Sequence, residues 1–271
     1  MIGDWCGTAT PGVAVVTVYE IRSTNNERRD MLSNIQTNTR EVRDLGFIDY
    51  DAAYGIQKEC VARVLAGGAQ VLFLCEHPAV ITLGRLAQEA NVLDLETIRR
   101  QGIRVIPIDR GGDVTLHAPG QLVVYPILNL AQSTRDLRLY MHKLEQVTIA
   151  LLKSFGIVAS RISGKTGVFV GSDPSIRPTT TTGGLTQDFA QESEYGEGLK
   201  IASLGIGVRK WVTYHGLGIN VNTDLKLFEL IKPCGLDIRM TSIARIKGEV
   251  VEMNEVKKRL VECFGREFGL L

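Results

Sequence analysis

Apolar positions in this chain recur with two different periods, and the switches between them lay out its elements. From Asp51 to Leu65, Ala53, Ile56, Cys60, Val64 and Leu65 return at helical spacing, and Gly67-Gly68 supplies a stop. Val71 to Cys75 is a short continuous apolar run of the kind a buried strand needs, and Val80 to Leu83 predicts a second strand before Gly84-Arg85. Leu95 to Arg100 reads as a short helix, and Val105 to Ile108 leads into a glycine-rich stretch. Leu137, Tyr140, Met141, Leu144, Val147, Thr148 and Leu151 mark one face of a longer helix closed by Gly156. Val168 to Val170, Lys200 to Gly205 and Trp211 to Val221 predict further strands. Asp224 is placed to cap a short helix from Leu225 to Ile231, which Pro233-Cys234-Gly235 ends. Val256, Leu260, Phe264 and Phe268 draw the stripe of a C-terminal helix. Strands arrive in runs with few helices between them, which favours an α+β domain over a doubly wound sheet.

Two segments fall outside this pattern. Residues 1–44 read as an N-terminal extension: Val13 to Tyr19 is a possible strand, but the polar run Ser23 to Arg43 has weak periodicity, and the compact domain is expected over 45–271. Residues 171–198, with the threonine run Thr179 to Thr182 and glycine pairs, read as a long flexible insertion. The apolar content of 44% supports a sizeable core, and the formal net charge of +1 argues against a generic nucleic-acid or anionic-membrane surface. Five cysteines, at 6, 60, 75, 234 and 263, lack any C-x-x-C pair, so neither zinc nor a secreted disulfide framework is expected. No apolar run approaches the roughly 20 residues of a membrane span. The expected setting is the cytoplasm.

The stretch Arg110 to Leu130, RGGDVTLHAPGQLVVYPILNL, is the chemical centre of the sequence. Its glycines allow backbone to approach a ligand, although a glycine pair beside a strand is often only a bulge or turn. Arg110, Thr115 and His117 bring a basic group, a hydroxyl and an imidazole, of which at least two share a strand face through the period of two. Nucleotide signatures fail. Ser163-Gly164-Lys165-Thr166 has Ala159 where a phosphate loop needs glycine, and Gly205-Ile206-Gly207 has Lys210 where a dinucleotide fingerprint needs its last glycine.

Cys234 differs from the other cysteines, because Cys60, Cys75 and Cys263 lie inside apolar patterns as small hydrophobes. Between proline and glycine at a turn, its sulfur can be presented to a substrate, though a turn cysteine is also commonly structural. Lys200 opens a strand just after the long loop, where a solvated edge residue is the plain reading. Beside Cys234, its ammonium would favour thiolate over thiol. His117 and His215 are either pocket residues or satisfied core histidines, and the residues alone leave both readings open.

RGGDVTLHAPGQLVVYPILNL (110–130), KIASLGIGVRKWVTYHGLGINVN (200–222) and DLKLFELIKPCG (224–235), with EHPAVITLGR (76–85) upstream, together resemble the octanoyltransferases of lipoate biosynthesis, the lipoate-protein ligase B family. The resemblance spans roughly residues 45 to 265 in consistent order. It implies a single α+β domain of the biotin and lipoate protein ligase type. It further implies transfer of an octanoyl group from octanoyl-acyl carrier protein to a specific lysine of lipoyl domains, those of 2-oxoacid dehydrogenases and the glycine cleavage H protein. Cys234 would carry the acyl group as a thioester and Lys200 would lower its pKa. Arg110, Gly111, Gly112, Asp113, Val114, Thr115, Leu116 and His117 would bind substrate, as would Ser203, Leu204, Gly205, His215, Gly216 and Leu217. No metal or cofactor is implied, and exchange of one thioester for another needs no ATP. Asp113, Leu116 and Ala118 depart from the family's glutamine, aromatic residue and glycine, and Asp113 is expected to add negative charge beside the pocket. The rival readings are an ATP-dependent ligase of the same fold and a non-catalytic carrier-binding module.

Overall fold

The computed structural model describes residues 17–20, 40–171, 198–233 and 238–269. The rest of the leader, the insertion from 172 to 197 and Cys234 lie outside the described residues. The architecture is α+β. Eleven strands are described: β1 (Thr17–Glu20), β2 (Arg40–Phe47), β3 (Gln70–Glu76), β4 (Val80–Leu83), β5 (Arg104–Pro107), β6 (Val114–His117), β7 (Gln121–Ile127), β8 (Ala159–Ser160), β9 (Val168–Val170), β10 (Leu199–Arg209) and β11 (Val212–Asn220). Five α-helices accompany them: α1 (Tyr50–Leu65), α2 (Leu95–Arg100), α3 (Leu137–Ser154), α4 (Ile243–Lys247) and α5 (Met253–Phe268).

Eight strands form one mixed sheet in the order β1-β2-β3-β7-β11-β10-β9-β8, while β5-β4-β6 form a small second sheet. β2 pairs in parallel with β3 from Arg40 onward, so the central sheet takes in chain upstream of Leu45. Period-two alternation sorts the central strands cleanly. Leu72, Leu74, Leu122 and Val124 face a core closed by α3 and α5, with Leu144, Leu151, Leu260 and Phe264. Val71, Phe73, Val123, Tyr125 and Ile127 face α1 on the other side, against Ala53, Cys60, Val61 and Val64. The small sheet builds a third cluster in which Ile81, Val114 and Leu116 pack with Ile98, Phe228, Leu230 and Ile231.

Helix starts follow side-chain capping. Asp49 accepts from Asp51 N ahead of α1, Asp136 from Leu139 N ahead of α3, and Ser242 from Arg245 N ahead of α4. The segment after Asp224 forms a 3-10 turn, Leu225–Leu230, rather than an α-helix, with the expected cap from Asp224 to Lys226 N. Leu137 departs from the predicted α3 face and is 40% exposed.

β10 and β11 form a hairpin turning at Lys210 and Trp211, whose φ angles of 48° and 68° are the pair of positive values a tight type I′ turn requires. One feature of β11 shapes everything that follows. Its neighbour β7 carries Pro126, which has no N–H to donate, and Thr213 Oγ1 takes the Pro126 carbonyl at 2.7 Å. The β7–β11 ladder then runs from Leu217↔Val124 to Asn220↔Gln121. At the interruption stands Gly216, where an added Cβ would lie 2.1 Å from Val124 O and 2.8 Å from Pro126 Cδ. His215 beside it has φ 55°, a left-handed backbone rare for a residue with a side chain.

Candidate active site

The loop between β5 and β6 carries Asp109, Arg110, Gly111 and Gly112. Arg110 is 5% exposed, and its guanidinium grips Thr82 on β4: Nη2 donates to Thr82 O at 2.8 Å and to Thr82 Oγ1 at 3.0 Å. A third donation, Nη1 to Gly111 O at 3.0 Å, curls the loop on itself. Gly111 N donates to Ile206 O at 2.8 Å, which docks the loop on β10. β9 pairs with β10 only over Leu199 to Ala202, so the loop meets the strand edge beyond the end of that ladder. Gly205 lies under Arg110, whose Cδ is 2.9 Å from where a Cβ would stand.

Asp109 anchors the same loop to β11 and α1. Tyr54 OH donates to Oδ1 at 2.7 Å, Tyr214 OH to Oδ2 at 2.7 Å, and His215 Nε2 meets Oδ1 at 3.0 Å. Partial burial opposes ionisation, yet the His215, Tyr214 and Tyr54 donors outweigh it and hold the carboxyl down at about 2. Tyr214 is pushed up to about 12 by burial and by its bond to that carboxylate. Simple alternation would send Tyr214 and His215 to opposite faces of the sheet. The positive φ at His215 puts both rings together, 4.9 Å between centroids, and Tyr54 stacks on His215 at 5.2 Å.

A second polar chain leads away from His117. His117 Nδ1 lies 2.7 Å from Gln121 Oε1, and Gln121 Nε2 donates to Asn220 Oδ1 at 3.0 Å and to Leu116 O at 3.3 Å. With the Gln121 amide nitrogen spent on two oxygens, its oxygen faces His117, so Nδ1 carries the proton and Nε2 is the open acceptor. Asn220 Nδ2 donates in turn to Thr241 O at 3.0 Å. Burial first, with the Arg110 guanidinium acting in the same direction, drives the His117 imidazole down to about 3, so it is neutral. His77 is buried and neutral for the same first reason. Its Nδ1 bonds Ile48 O at 2.7 Å and its Nε2 faces Tyr125 OH at 2.8 Å.

Lys200 is 1% exposed. Its Nζ stands 5.8 Å from the centre of the Phe169 ring, and its backbone is clamped by Lys200 N to Arg239 O and Thr241 N to Lys200 O, both 2.9 Å. Gly167 (φ 127°) makes room for it, since a Cβ there would lie 2.6 Å from Lys200 Cε. The Gly167 N–H is held by Glu145 Oε1 at 3.2 Å, and Glu145 Oε2 receives Arg161 Nε at 2.9 Å.

The sequence matches the family described as lipoyl protein ligase A/B catalytic domain over residues 49–265, most of its length. The chain belongs to that family. Among its relatives, an octanoyltransferase of Syntrophotalea carbinolica is 42% identical over 83% of this chain and 92% of its own length. One from Thermosynechococcus vestitus is 39% identical over 83% and 88%. Of solved structures, lipoate-protein ligase A bound with ATP superposes with a TM-score of 0.60 at 15% identity, covering 82% of this chain and 83% of that one. The bipartite lipoate protein ligase of Thermoplasma acidophilum gives 0.59 at 15%, covering 82% and 81%. At such identities these two speak for the fold alone.

Within this lipoyl ligase domain, Arg110, Gly111, Gly205 and His215 of the predicted residues converge where the β5–β6 loop meets the β10–β11 hairpin. Gly112 accepts from Leu86 N at 3.1 Å, tying that loop to the chain after β4. Thr115 pairs across the small sheet with Thr82. Val114 and Leu116 turn into the third cluster, and Leu204 and Leu217 into the large core. Ser203 pairs with Gly218 in the hairpin. Asp113 corrects an expectation: its carboxylate is not a free charge in the pocket. Oδ1 receives Val114 N at 2.8 Å and Gln88 N at 3.2 Å, and Oδ2 receives the Asn91 amide at 2.6 Å, so it latches the turn at 88–91. Sequence reasoning missed Asp109, Tyr54, Tyr214, Gln121 and Asn220. Asp109 directly precedes the Arg-Gly-Gly run and Gln121 directly follows the Pro-Gly turn, the positional signals that mark them.

Proposed function

We propose that this domain is an octanoyltransferase that takes the acyl group from octanoyl-acyl carrier protein onto Cys234 and passes it to a lysine of lipoyl domains. The observation that carries this reading is the buried lysine. Lys200 is 1% exposed, its backbone is held on both sides, and one of the residues holding it is Arg239, five residues along the chain from Cys234. An ammonium beside a thiol favours the thiolate, the form that attacks a thioester. In the first step the sulfur–carbon bond to Cys234 forms as the bond to the carrier sulfur breaks, and the departing carrier thiolate takes the proton of the Lys200 ammonium. In the second, the acceptor amine displaces Cys234 and forms an amide. The amine has a solution pKa near 10.4 and must shed a proton, for which Lys200, once neutral, is the acceptor. Backbone N–H in the stretch 203–205, which runs beyond the end of the β9 ladder, would stabilise the tetrahedral oxyanion. The relatives' shared name, octanoyltransferase, supports the acyl group chosen.

Both partners are expected in the cytoplasm. Among the described residues no helix is long and apolar enough to cross a membrane. The test is intact-mass measurement after incubation with octanoyl carrier and no nucleotide. An octanoyl adduct on the wild type that disappears in Cys234→Ala, followed by transfer to a lipoyl domain, is the expected result. Activity that needs ATP and survives loss of Cys234 would replace this reading with that of a ligase.

A further inference from the structure

His215 is the one described histidine that combines a strained backbone, an anionic partner and an unsatisfied nitrogen. Its ring is 2% exposed and its φ is 55°. Strain of this kind persists only where the surroundings over-determine it. Here three contacts do so. Gln57 Oε1 accepts from His215 N at 2.8 Å, Tyr54 stacks on the ring, and the Asp109 carboxylate lies 3.0 Å from Nε2. Asp109 Oδ1 and Oδ2 are acceptors already receiving the two tyrosine hydroxyls, so the hydrogen facing them from the histidine must sit on Nε2. Nδ1 is then an unprotonated acceptor, and it is buried with no hydrogen-bond partner among the described residues. A buried acceptor left unpaired is unfavourable, an arrangement that favours a donor group as its partner.

We infer that Asp109 is a positioning residue that locks His215 in the Nε2–H tautomer, reserving Nδ1 to accept a hydrogen bond from an amide or amine N–H of the substrates. This rests on the transferase reading for the identity of those substrates. It also separates two jobs. A nitrogen that can only accept gives nothing to an oxyanion, so His215 recognises a donor group and the developing negative charge falls to backbone N–H groups. Asp109 performs this while also pinning the loop of Arg110 and Gly111 against β11, with Tyr214 as the second anchor.

The chain has four histidines, so 15N-histidine labelling of the full-length protein resolves them, and His215→Gln assigns the signal. The expected wild-type spectrum at neutral pH shows a pyrrole-type Nε2 and a pyridine-type Nδ1 for His215. Asp109→Ala is expected to average the two nitrogens and to lower octanoyl-transfer kcat/KM roughly ten- to a hundredfold, the equivalent of one charge-assisted hydrogen bond. Asp109→Asn keeps an acceptor oxygen for Nε2–H and is expected to restore the tautomer and most of the activity. It also stands in if the alanine variant does not fold. A proton on Nδ1 in the wild type overturns the inference. So does a tautomer unchanged by Asp109→Ala, or kcat/KM within twofold of wild type once the tautomer is lost. A wild type without octanoyl transfer would strike down the reaction assignment instead, and the nitrogen shifts would still decide the tautomer.

Discussion

Burying a neutral imidazole at His117 sets a stability limit on the acid side. In the folded protein His117 titrates at about 3, against 6.5 for an unhindered histidine. It sits under Tyr50, whose ring centroid is 5.9 Å away, against His77 at 5.8 Å and on Gln121, with the Arg110 guanidinium adding positive charge. Every one of these except Gln121 resists or fails to stabilise an imidazolium. Between pH 6.5 and 3 the unfolded chain therefore binds a proton that the folded one refuses, and stability falls as pH drops through that window. At pH 5, 1.5 units below the unfolded value, the loss from His117 alone is about 2 kcal/mol, at about 1.36 kcal/mol per unit. His77 and His215, also lowered by burial, add losses of the same sign. The assay is urea unfolding at pH 7.5 and 5.0 for the wild type and His117→Asn. The asparagine amide can still donate to Gln121 Oε1 but does not titrate. The wild type should lose about 2 kcal/mol more than the variant between the two pH values, whatever the variant's baseline. Equal losses would refute the claim that the folded pocket excludes the imidazolium.

Three substitutions probe the rest of the frame. Gly216→Ala puts a methyl 2.1 Å from Val124 O and should cost about 3 kcal/mol in urea or thermal unfolding, with the β7–β11 interface loosened. Gly167→Ala meets Ala202 O and Lys200 Cε, each at 2.6 Å, so octanoyl transfer should fall at least about tenfold through displacement of the lysine. Steady-state kcat checks this against a melting temperature that falls far less steeply. Asp113→Ala removes the acceptor of the Asn91 amide and of two backbone N–H groups; a loss of about 1–2 kcal/mol is expected, with faster hydrogen exchange over 88–92.

Much of this architecture could be read from periodicity because the central strands obey it. β3 and β7 alternate strictly between the two cores, and α1, α3 and α5 carry stripes that match the faces they bury. The hairpin turn was hidden because Lys210 and Trp211 occupy positions where Asn-Gly would have announced a type I′ geometry. The short helix α4 has only five residues, too few for a stripe, and β8 only two. In the candidate site, Arg110, Lys200 and His215 were legible as polar residues amid apolar pattern, while their supports were not. Asp109 and Tyr214 meet across a separation of 105 positions in the chain, and Gln121 and Asn220 across 99. Such pairs leave no local trace. Asp113 shows the converse: a charge read as lying beside the pocket is held by neighbouring donors, a partnership that sequence spacing does not reveal.

The polar side chains that do the site's work are presented where the regular pattern breaks, and each break traces to a residue that cannot follow it. Pro126 withholds an N–H from β11, Gly216 accepts the crowding that results, and His215 turns onto the α1 face to reach Asp109. The β9 ladder, after a register shift between Lys200 and Ala202, ends at Ala202, and β10 then passes to the Arg110 loop. From there the two hydrogen-bond chains diverge. Asp109 ties the loop to β11 and α1, and His117 reaches through Gln121 and Asn220 to Thr241, whose N–H holds the Lys200 carbonyl. A shift of β11 relative to β7 would thus disturb His215 directly and the Lys200 clamp through Asn220. The Asp109 and Lys200 sides of the candidate site are therefore mechanically one unit, and Gly216→Ala should perturb amide signals at both Tyr54 and Thr241 before it unfolds the sheet.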